Sequence, residues 1–392
     1  MKIMRFLPFI FFSSMIYGQL KQPRISTDFA GGNIFIERIT PDTIWLRPDL
    51  RDTNGEWFYW YFKVSGIKGK TLTFRFTRDN VFTSFGPAYS INHNNAWKWL
   101  GGESVIENSF TFAFQESDTI AFFCTAFPYT QINFHEFIGR LKSDSGVILD
   151  TLCRTRKHRF VEELWISPEK EVQNKVLITA RHHACEMMAS YVLEGLVETV
   201  LEDPGLIDLR ASTQFRIIPF VDKDGVEEGD QGKNRIPRDH NRDYNKSSIY
   251  ATTSALRDKI PEWSEGKLKI ALDLHCPWIS GDYNEWIYLV GSSNPENERE
   301  QIVFSKLIEK HSKGALRFYH SDFLPFGEAW NKSENYDQGM SFTGWAQSME
   351  GNKLSTTLEF PYANVLGAQV SRDNAREFGK TIAYAIRDYL TN

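Results

Sequence analysis

Four side chains in the second half of the chain are suited to metal-assisted hydrolysis. His183 and Glu186 form an H-x-x-E pair directly after an apolar run, His275 closes a second apolar run, and Glu359 lies inside a third. Two imidazoles and one carboxylate would leave a fourth zinc position for water, which is the arrangement of catalytic zinc sites. A carboxylate beside that water could act as a general base.

Each feature also has a simpler interpretation. An H-x-x-E pair arises often by chance, and it is equally explained by a solvated histidine and a glutamate that favours the first turn of a helix. Glu359 is harder to explain in this way, because burying an unpaired carboxylate costs several kcal/mol or raises its pKa. The combination of all four residues favours a metal site.

A polar loop at residues 222–244 separates the first two apolar runs. It carries four cations in ten residues, namely Lys233, Arg235, Arg238 and Arg242. The simpler interpretation is a solvated basic loop. The alternative is an anion-binding loop, because arginine grips a carboxylate through two parallel hydrogen bonds.

The elements that would position these residues are strands alternating with helices, which predicts an α/β fold. Strands are predicted at residues 176–178, 215–220, 268–274, 286–290 and 356–360. Helices are predicted directly after Glu186 and at residues 375–390. Open sheets of this class place their sites at strand ends, where these polar residues lie.

The first part of the chain has a different pattern. Short aromatic and β-branched runs separated by Gly, Asn and Asp predict a β-sandwich over residues 19–140, followed by an α/β domain over 141–392. Residues 1–18, with a basic start and a short apolar segment, predict a signal peptide and an exported protein, periplasmic or secreted. A retained anchor is the alternative.

Composition excludes several classes of protein. The chain has 392 residues, 41% of them hydrophobic and 14% aromatic, which is incompatible with a disordered protein. Its net charge of -5 argues against a nucleic-acid partner. After signal removal we expect no integral membrane segment. Four cysteines are too few for a disulfide scaffold, and their pairing stays open.

The order of the motifs resembles the M14 zinc carboxypeptidases. H-x-x-E is followed by D-G-V at 224–226, N-R at 241–242, a strand-ending His and a strand Glu. The similarity is strongest to the cytosolic-carboxypeptidase-like branch and its bacterial relatives, and Pro-Tyr-Thr at 128–130 resembles the end of their N-terminal β domain. The resemblance covers roughly residues 30–390. It implies a mixed central sheet flanked by helices and preceded by an antiparallel β-sandwich.

The resemblance also implies roles for individual residues. His183, Glu186 and His275 match the ligands of one Zn²⁺ per chain, and Glu359 matches the catalytic carboxylate. His182 is interpreted as a residue behind the ligands or at the surface. Asp273 would orient a ligand or bond within the sheet.

Substrate-binding residues follow from the same resemblance. Asn241 and Arg242 match the pair that binds the substrate's terminal carboxylate, and Tyr336 matches a tyrosine that precedes the catalytic Glu. The family also uses an arginine to polarise the scissile carbonyl. The matching position here is Gly232, so Arg235 is the prediction, with Lys233 and Arg238 as alternatives.

The predicted function is a zinc metallocarboxypeptidase acting on the C-terminus of a peptide or protein. The alternatives are a zinc amidase or esterase on the same fold, which would be favoured if Arg242 faced away from the metal, and an inactive binding module. Residues 341–352 contain no basic side chain, which argues against polyglutamate as the substrate.

Overall fold

The computed structural model describes residues 22–92, 96–141, 146–168, 171–245 and 247–391. The predicted signal peptide, residues 1–18, lies outside these ranges, so the signal and the exported location stay predictions. Among the described helices, none has the length and apolar character needed to cross a bilayer.

Short strands build two five-stranded sheets in the N-terminal half of the described chain. They are β1 (Arg24–Ser26), β2 (Phe35–Ile39), β3 (Thr43–Arg47), β4 (Tyr61–Ser65), β5 (Thr71–Phe76), β6 (Ala88–Ile91), β7 (Lys98–Trp99), β8 (Val105–Ile106), β9 (Ser109–Ala113) and β10 (Ile120–Cys124). The sheet orders are β1-β4-β10-β6-β7 and β2-β3-β5-β9-β8.

The two sheets pack face to face, as predicted for a β-sandwich. Alternate side chains of β5 are buried, which is the period of a strand with one face in a core. Phe74 of β5 packs on Phe62 and Phe123 of the opposite sheet, with ring centroids 5.4 and 5.0 Å away. The sandwich is not fully antiparallel, because β3 and β5 pair in parallel. Between them the chain crosses to the other sheet through β4 and returns in its original direction.

The C-terminal half contains a seven-stranded mixed sheet in the order β11-β12-β14-β13-β15-β17-β16. Its strands are β11 (Val147–Arg154), β12 (Phe160–Ile166), β13 (Asn174–Ala180), β14 (Thr213–Ile218), β15 (Leu268–His275), β16 (Tyr288–Val290) and β17 (Leu354–Glu359). A small hairpin follows, formed by β18 (Asn364–Val365) and β19 (Ala368–Gln369). Strands β14, β13, β15 and β17 are parallel, and the outer strands pair antiparallel.

Helices cover both faces of this sheet, which is the predicted α/β arrangement. They are α1 (Gln131–Arg140), α2 (Met187–Glu202), α3 (Ile207–Ser212), α4 (Lys223–Glu228), α5 (Ala251–Ser264), α6 (Pro295–His311), α7 (Phe342–Ala346) and α8 (Arg372–Thr391). Side chains of α2, α6 and α8 pack on the face that carries Val176, and α5 and α7 pack on the face that carries Leu177.

Two glycines let α2 and α8 approach closely. A Cβ at Gly379 of α8 would lie 2.1 Å from the carbonyl oxygen of Val192, and one at Gly195 of α2 would lie 2.0 Å from that of Arg376. Larger residues would therefore force the helices apart. Because α2 begins directly after Glu186, this packing also holds the start of α2 against the sheet.

The two halves of the chain share one apolar cluster. Phe58 of the N-terminal half packs on Tyr362 and Trp278 of the C-terminal half, with ring centroids 5.3 and 5.1 Å away. The helix α1 ends at Arg140, where the sequence predicts the domain boundary, and the boundary itself stays a prediction.

Candidate metal and catalytic site

Three neighbouring parallel strands end at the same edge of the C-terminal sheet. Strand β15 lies between β13 and β17, and its last residue, His275, stands in register with Glu359, the last residue of β17. Strand β13 ends at Ala180, three residues before His183. The topology therefore brings three of the predicted residues, from distant parts of the sequence, to the edge where open α/β sheets place ligand sites.

The predicted metal ligands converge on one point. Glu186 Oε1 lies 2.8 Å from His183 Nδ1, and Glu186 Oε2 lies 2.8 Å from His275 Nδ1. Ligand atoms of all three residues lie within 4.8 Å of one another. Glu186 and His275 are buried, and His183 is partly buried.

The turn that carries His183 and Glu186 is held by Arg181. This residue adopts a positive φ of 59° and is buried. Its guanidinium donates to the carbonyl oxygens of Tyr129 at 3.0 Å and Ala184 at 3.2 Å, and to the hydroxyl of Ser190 at 3.1 Å. The Pro-Tyr-Thr segment noted in the sequence therefore braces the turn that carries two of the predicted metal ligands.

Two carboxylates hold the far nitrogens of the ligand imidazoles. His183 Nε2 lies 3.0 Å from Asp239, and His275 Nε2 lies 2.6 Å from Asp273. A histidine that donates from Nε2 to a carboxylate presents Nδ1 as the free donor atom, and such contacts orient metal ligands. Asp273 also accepts a contact of 2.8 Å from His182, which is buried behind the ligands.

Sequence reasoning did not assign a role to Asp239. It lies two residues before Asn241 in the polar loop, and its carboxylate also accepts hydrogen bonds from the backbone N–H groups of Asn234 and Asn241. The one feature of the sequence that could have indicated a role for Asp239 is its position next to the predicted substrate-binding pair. Its partner His183 becomes evident only when the loop is placed in space.

The residues present fit a zinc ion. Two imidazole nitrogens and a carboxylate form the donor set of a catalytic zinc site. Although Glu186 Oε2 is close to His275, the two atoms lack hydrogen-bond alignment, and this buried oxygen has no hydrogen-bond partner among the described residues. This geometry is expected when Glu186 Oε2 and His275 Nδ1 both point toward one metal ion.

Glu359 lies beside the ligand cluster with one oxygen free. The residue is 6% exposed, and its buried Oε2 makes no hydrogen bond to the described residues. Burial raises the pKa of this carboxyl above its ordinary value, although His275 and Lys233 act in the opposite direction. A buried carboxylate with an unengaged oxygen is suited to accept a proton within the cleft.

The structure places Lys233, not Arg235, at this cluster. Lys233 Nζ lies 2.7 Å from Glu186 Oε1 and donates to the carbonyl oxygen of Cys276 at 2.8 Å. Burial would lower the pKa of Lys233, but Glu186 and Glu359 raise it above its ordinary value, so the side chain is a cation.

Arg235 does not reach the cluster, so the sequence prediction for this residue requires correction. Its guanidinium pairs with Asp222, with Asp230 at 2.9 Å and with Asp52 at 3.6 Å. It lines a separate cavity behind the loop. Three carboxylates around one guanidinium leave it no freedom to turn toward the metal ligands.

Gly232 explains why the cation in the cleft is Lys233 and not a side chain at position 232, where the family has an arginine. Its φ is +80°, and a Cβ at this position would lie 2.2 Å from Ala184 N and 2.9 Å from the backbone of His183. The loop therefore contacts the turn that carries His183 and Glu186, at the position where the family pattern has an arginine. A side chain cannot be placed there, and Lys233 is the adjacent cation that reaches the cleft.

Arg242 and Tyr336 line the same cavity as His183, His275 and Glu359. Arg242 donates from Nε to the carbonyl oxygen of Asn335 at 2.8 Å, and its guanidinium lies 4.8 Å from the centre of the Tyr336 ring. These contacts hold the guanidinium at the cavity wall.

Asn241 lines this cavity too, but its amide is engaged by protein groups. Its Nδ2 lies 3.1 Å from His275 Nε2, and its Oδ1 accepts from Phe342 N at 2.9 Å. Because His275 Nε2 already donates to Asp273, the Asn241 amide does not bond to the imidazole but lies against the pair, with Nδ2 3.5 Å from Asp273 Oδ2. Arg242 is therefore the residue of the predicted pair whose charge faces the cleft.

The cavity is about 360 Å³ and has an aromatic wall that contains tryptophans. Trp57 comes from the N-terminal half and Trp278 from the C-terminal half, and their ring centroids are 4.7 Å apart. Lys233 Nζ lies 5.3 Å from the Trp57 ring. The cleft is therefore built from both halves of the chain.

Known proteins share this fold and this part of the sequence. Residues 142–258 match the model of the zinc carboxypeptidase family, Peptidase_M14. Mouse cytosolic carboxypeptidase 3 is 28% identical over 321 residues, which cover 70% of this chain and 31% of the mouse protein. The Zymomonas mobilis protein ZMO1242 is 26% identical over 350 residues, covering 86% of this chain and 88% of its own.

A solved structure shares the whole architecture. The metallo-carboxypeptidase of Burkholderia cenocepacia superposes with a TM-score of 0.75 at 20% identity, covering 94% of this chain and 99% of its own. The chain thus has the carboxypeptidase fold with additional N-terminal sheets, which confirms the predicted fold class. It carries an M14 zinc carboxypeptidase domain and is homologous to the cytosolic carboxypeptidases, as the sequence motifs predicted. It spans about a third of the length of the mouse relative.

Proposed function

We propose that this chain is a zinc-dependent metallocarboxypeptidase that hydrolyses the last peptide bond of a peptide or protein. The observation that carries the proposal is the placement of a His183, Glu186 and His275 donor set, the free carboxylate of Glu359 and the cation of Arg242 around one cavity. This combination provides a metal-binding site, a base and a carboxylate-binding group in the same cavity.

The metal site and the base have separate tasks. A zinc ion held by His183, Glu186 and His275 would polarise the scissile carbonyl and lower the pKa of the attacking water. Glu359 accepts the proton of that water and delivers it to the leaving amine, as a positioned general base and then acid. Its burial keeps the proton transfer away from bulk solvent.

Two cations bind the charges of the substrate. Lys233 stabilises the negative oxygen that develops on the scissile carbonyl, a contribution often worth about 3–4 kcal/mol per donor. Arg242 binds the terminal carboxylate, for which its planar fork is well suited. The Tyr336 ring, 4.8 Å from the Arg242 guanidinium, helps to hold it in place. Fixing the free carboxylate restricts cleavage to the last bond.

The position of Arg242 favours a peptidase over the amidase or esterase alternative. A substrate without a terminal carboxylate would leave this cation unpaired at the wall of the cleft, which is unfavourable. The intact donor set and the free Glu359 oxygen argue against an inactive binding module, because neither feature serves simple adhesion.

A peptide assay tests this proposal. We expect purified protein to contain about one zinc per chain and to release single C-terminal residues from a mixed peptide pool. A chelator should abolish release and zinc should restore it. The matched control is the same pool with amidated C-termini, which should resist cleavage. Internal cleavage, or equal cleavage of the amidated pool, would contradict a carboxypeptidase.

A second cavity adjoins the first beyond Tyr336 and supports a finer proposal on side-chain preference. It is about 520 Å³ and shares with the first cavity the residues Val290, Tyr336, Ser341, Thr343 and Thr357. Thr357 lies two residues before Glu359 on β17 and therefore faces the same side of the sheet. Among the described residues that line it, none is charged at neutral pH. We propose that this cavity accepts the side chain of the released residue and prefers an uncharged one.

Peptides that end in glutamine and glutamate measure this preference, because the two side chains have the same shape and differ in charge. We expect kcat/KM to be at least ~30-fold higher for the glutamine peptide, since a buried carboxylate without a counter-charge is strongly disfavoured. Thr343→Lys should reduce the ratio of kcat/KM between the glutamine and glutamate peptides, because the new ammonium can pair with the glutamate side chain. Ser348→Lys is the matched control, because Ser348 is exposed on the same segment and does not line the cavity. Equal rates for both peptides would refute the preference.

A further inference from the structure

One segment of the N-terminal half, between β3 and β4, contacts the loop that carries Lys233. The backbone N–H of Ile236 donates to Asp52 O at 2.9 Å, and Thr53 forms a β-bridge with Arg235. The backbone N–H of Tyr59 donates to the side chain of Gln231 at 2.8 Å. This segment therefore contacts the loop that carries Lys233 at several points between residues 231 and 236.

Asp52 makes the most specific of these contacts. Its Oδ1 accepts a hydrogen bond from Gln231 N at 3.0 Å, and its Oδ2 accepts one from Gly232 N at 2.9 Å. The carboxylate is buried, with 8% of the residue exposed. Two consecutive backbone N–H groups directed at one carboxylate define the path of the chain immediately before Lys233.

Thr53 and Trp57 extend the contact to Lys233 itself. The Thr53 hydroxyl donates to the carbonyl oxygen of Lys233 at 2.7 Å. The Trp57 ring lies beside the Lys233 ammonium and lines the cleft. On the other side, Gly232 rests on the metal-binding turn. The backbone of the loop is thus enclosed between the N-terminal half and the ligand segment.

We infer that Asp52 is a positioning residue that sets the Lys233 ammonium in the cleft, so that the N-terminal β domain completes the active site. The inference rests on the proposed function, because it assigns Lys233 to the scissile carbonyl. Lysine has a flexible stem with several rotatable bonds, so its reach depends on where its backbone is fixed. An arginine at the family position would project from the loop one residue earlier. With glycine at that position, the cation must come from Lys233, and the hydrogen bonds from Gln231 N and Gly232 N to Asp52 fix the backbone that carries it.

A double-mutant cycle tests the inference on the full chain. We expect Asp52→Asn to lower kcat about tenfold with little change in KM, because one of the two N–H groups loses its acceptor and the ammonium shifts from the developing charge. In a Lys233→Met background the same Asp52→Asn change should alter kcat by less than about twofold. Glu56→Gln is the matched control, because this carboxylate lies on the same segment but is 92% exposed.

Independent measurements separate the possible outcomes. If the two substitutions multiply in their effects, Asp52 acts by general support of the fold and the inference is overturned. Zinc content and thermal unfolding of each variant show whether the fold is retained. If Asp52→Asn fails to fold, Thr53→Val removes the contact to Lys233 O with less perturbation, and an unchanged kcat in that variant refutes the inference. Absence of carboxypeptidase activity in the wild-type protein would instead refute the proposed function.

Discussion

Replacement of Glu359 by glutamine should reduce kcat by about 10³–10⁴-fold while zinc remains bound. The amide has the shape of the carboxylate but cannot accept the proton of the attacking water. The metal ligands are unchanged, since Glu359 does not belong to the donor set. Single-turnover release of a C-terminal residue, together with metal analysis of the same sample, would measure both quantities.

The control for this variant is Glu350→Gln, which changes an exposed carboxylate nine positions earlier. We expect its kcat to equal that of the wild type. A Glu359→Gln protein that retains most of its activity would exclude Glu359 as the base. Loss of zinc in that protein would indicate that Glu359 helps to hold the metal and would change its assignment.

Exchange of Lys233 for methionine should lower kcat by about 10²–10³-fold, the effect typical of losing one donor to a developing oxyanion. Methionine keeps most of the side-chain volume and removes the charge. Because the ammonium also contacts Glu186 at 2.7 Å, zinc content must be measured in parallel. A KM close to the wild-type value would indicate that Lys233 acts mainly in the transition state.

Arg235→Met discriminates between the two cations. The structure predicts a loss of unfolding free energy of about 3–5 kcal/mol, because three carboxylates around the guanidinium lose a shared cationic partner. We expect kcat of the folded protein to stay within about threefold of wild type. A large fall in kcat for Arg235→Met with little effect of Lys233→Met would restore the arginine as the carbonyl-binding residue.

Much of the site could be predicted from local sequence because its residues lie at the ends of buried strands. An apolar run that ends in a polar residue is visible without tertiary information, and His275 and Glu359 are of this kind. His183 and Glu186 are three positions apart at a strand-to-helix turn, so a local spacing brings them together. The chemistry of these four side chains then limits the metal and the reaction.

Other parts of the fold have weaker local signals. Helix α6 does not emerge from the hydrophobic pattern because polar side chains occupy part of its buried face. Asn297 and Gln301 are buried there and both donate to Ser355 O at 2.8 Å, at the strand that ends in Glu359. The parallel pairing of β3 and β5 likewise depends on which sheet β4 joins.

The H-x-x-E pair, the strand-ending histidine, the strand glutamate and the α/β fold that gathers them can all be recognised from local patterns of residues. Which of the four loop cations enters the cleft depends instead on contacts made in the folded chain. That choice depends on the contact of Gly232 with the metal-binding turn and on Asp52 from the other half of the chain. Both are contacts between segments distant in sequence, so their effect on Lys233 and Arg235 has no signature in the spacing of the loop residues themselves.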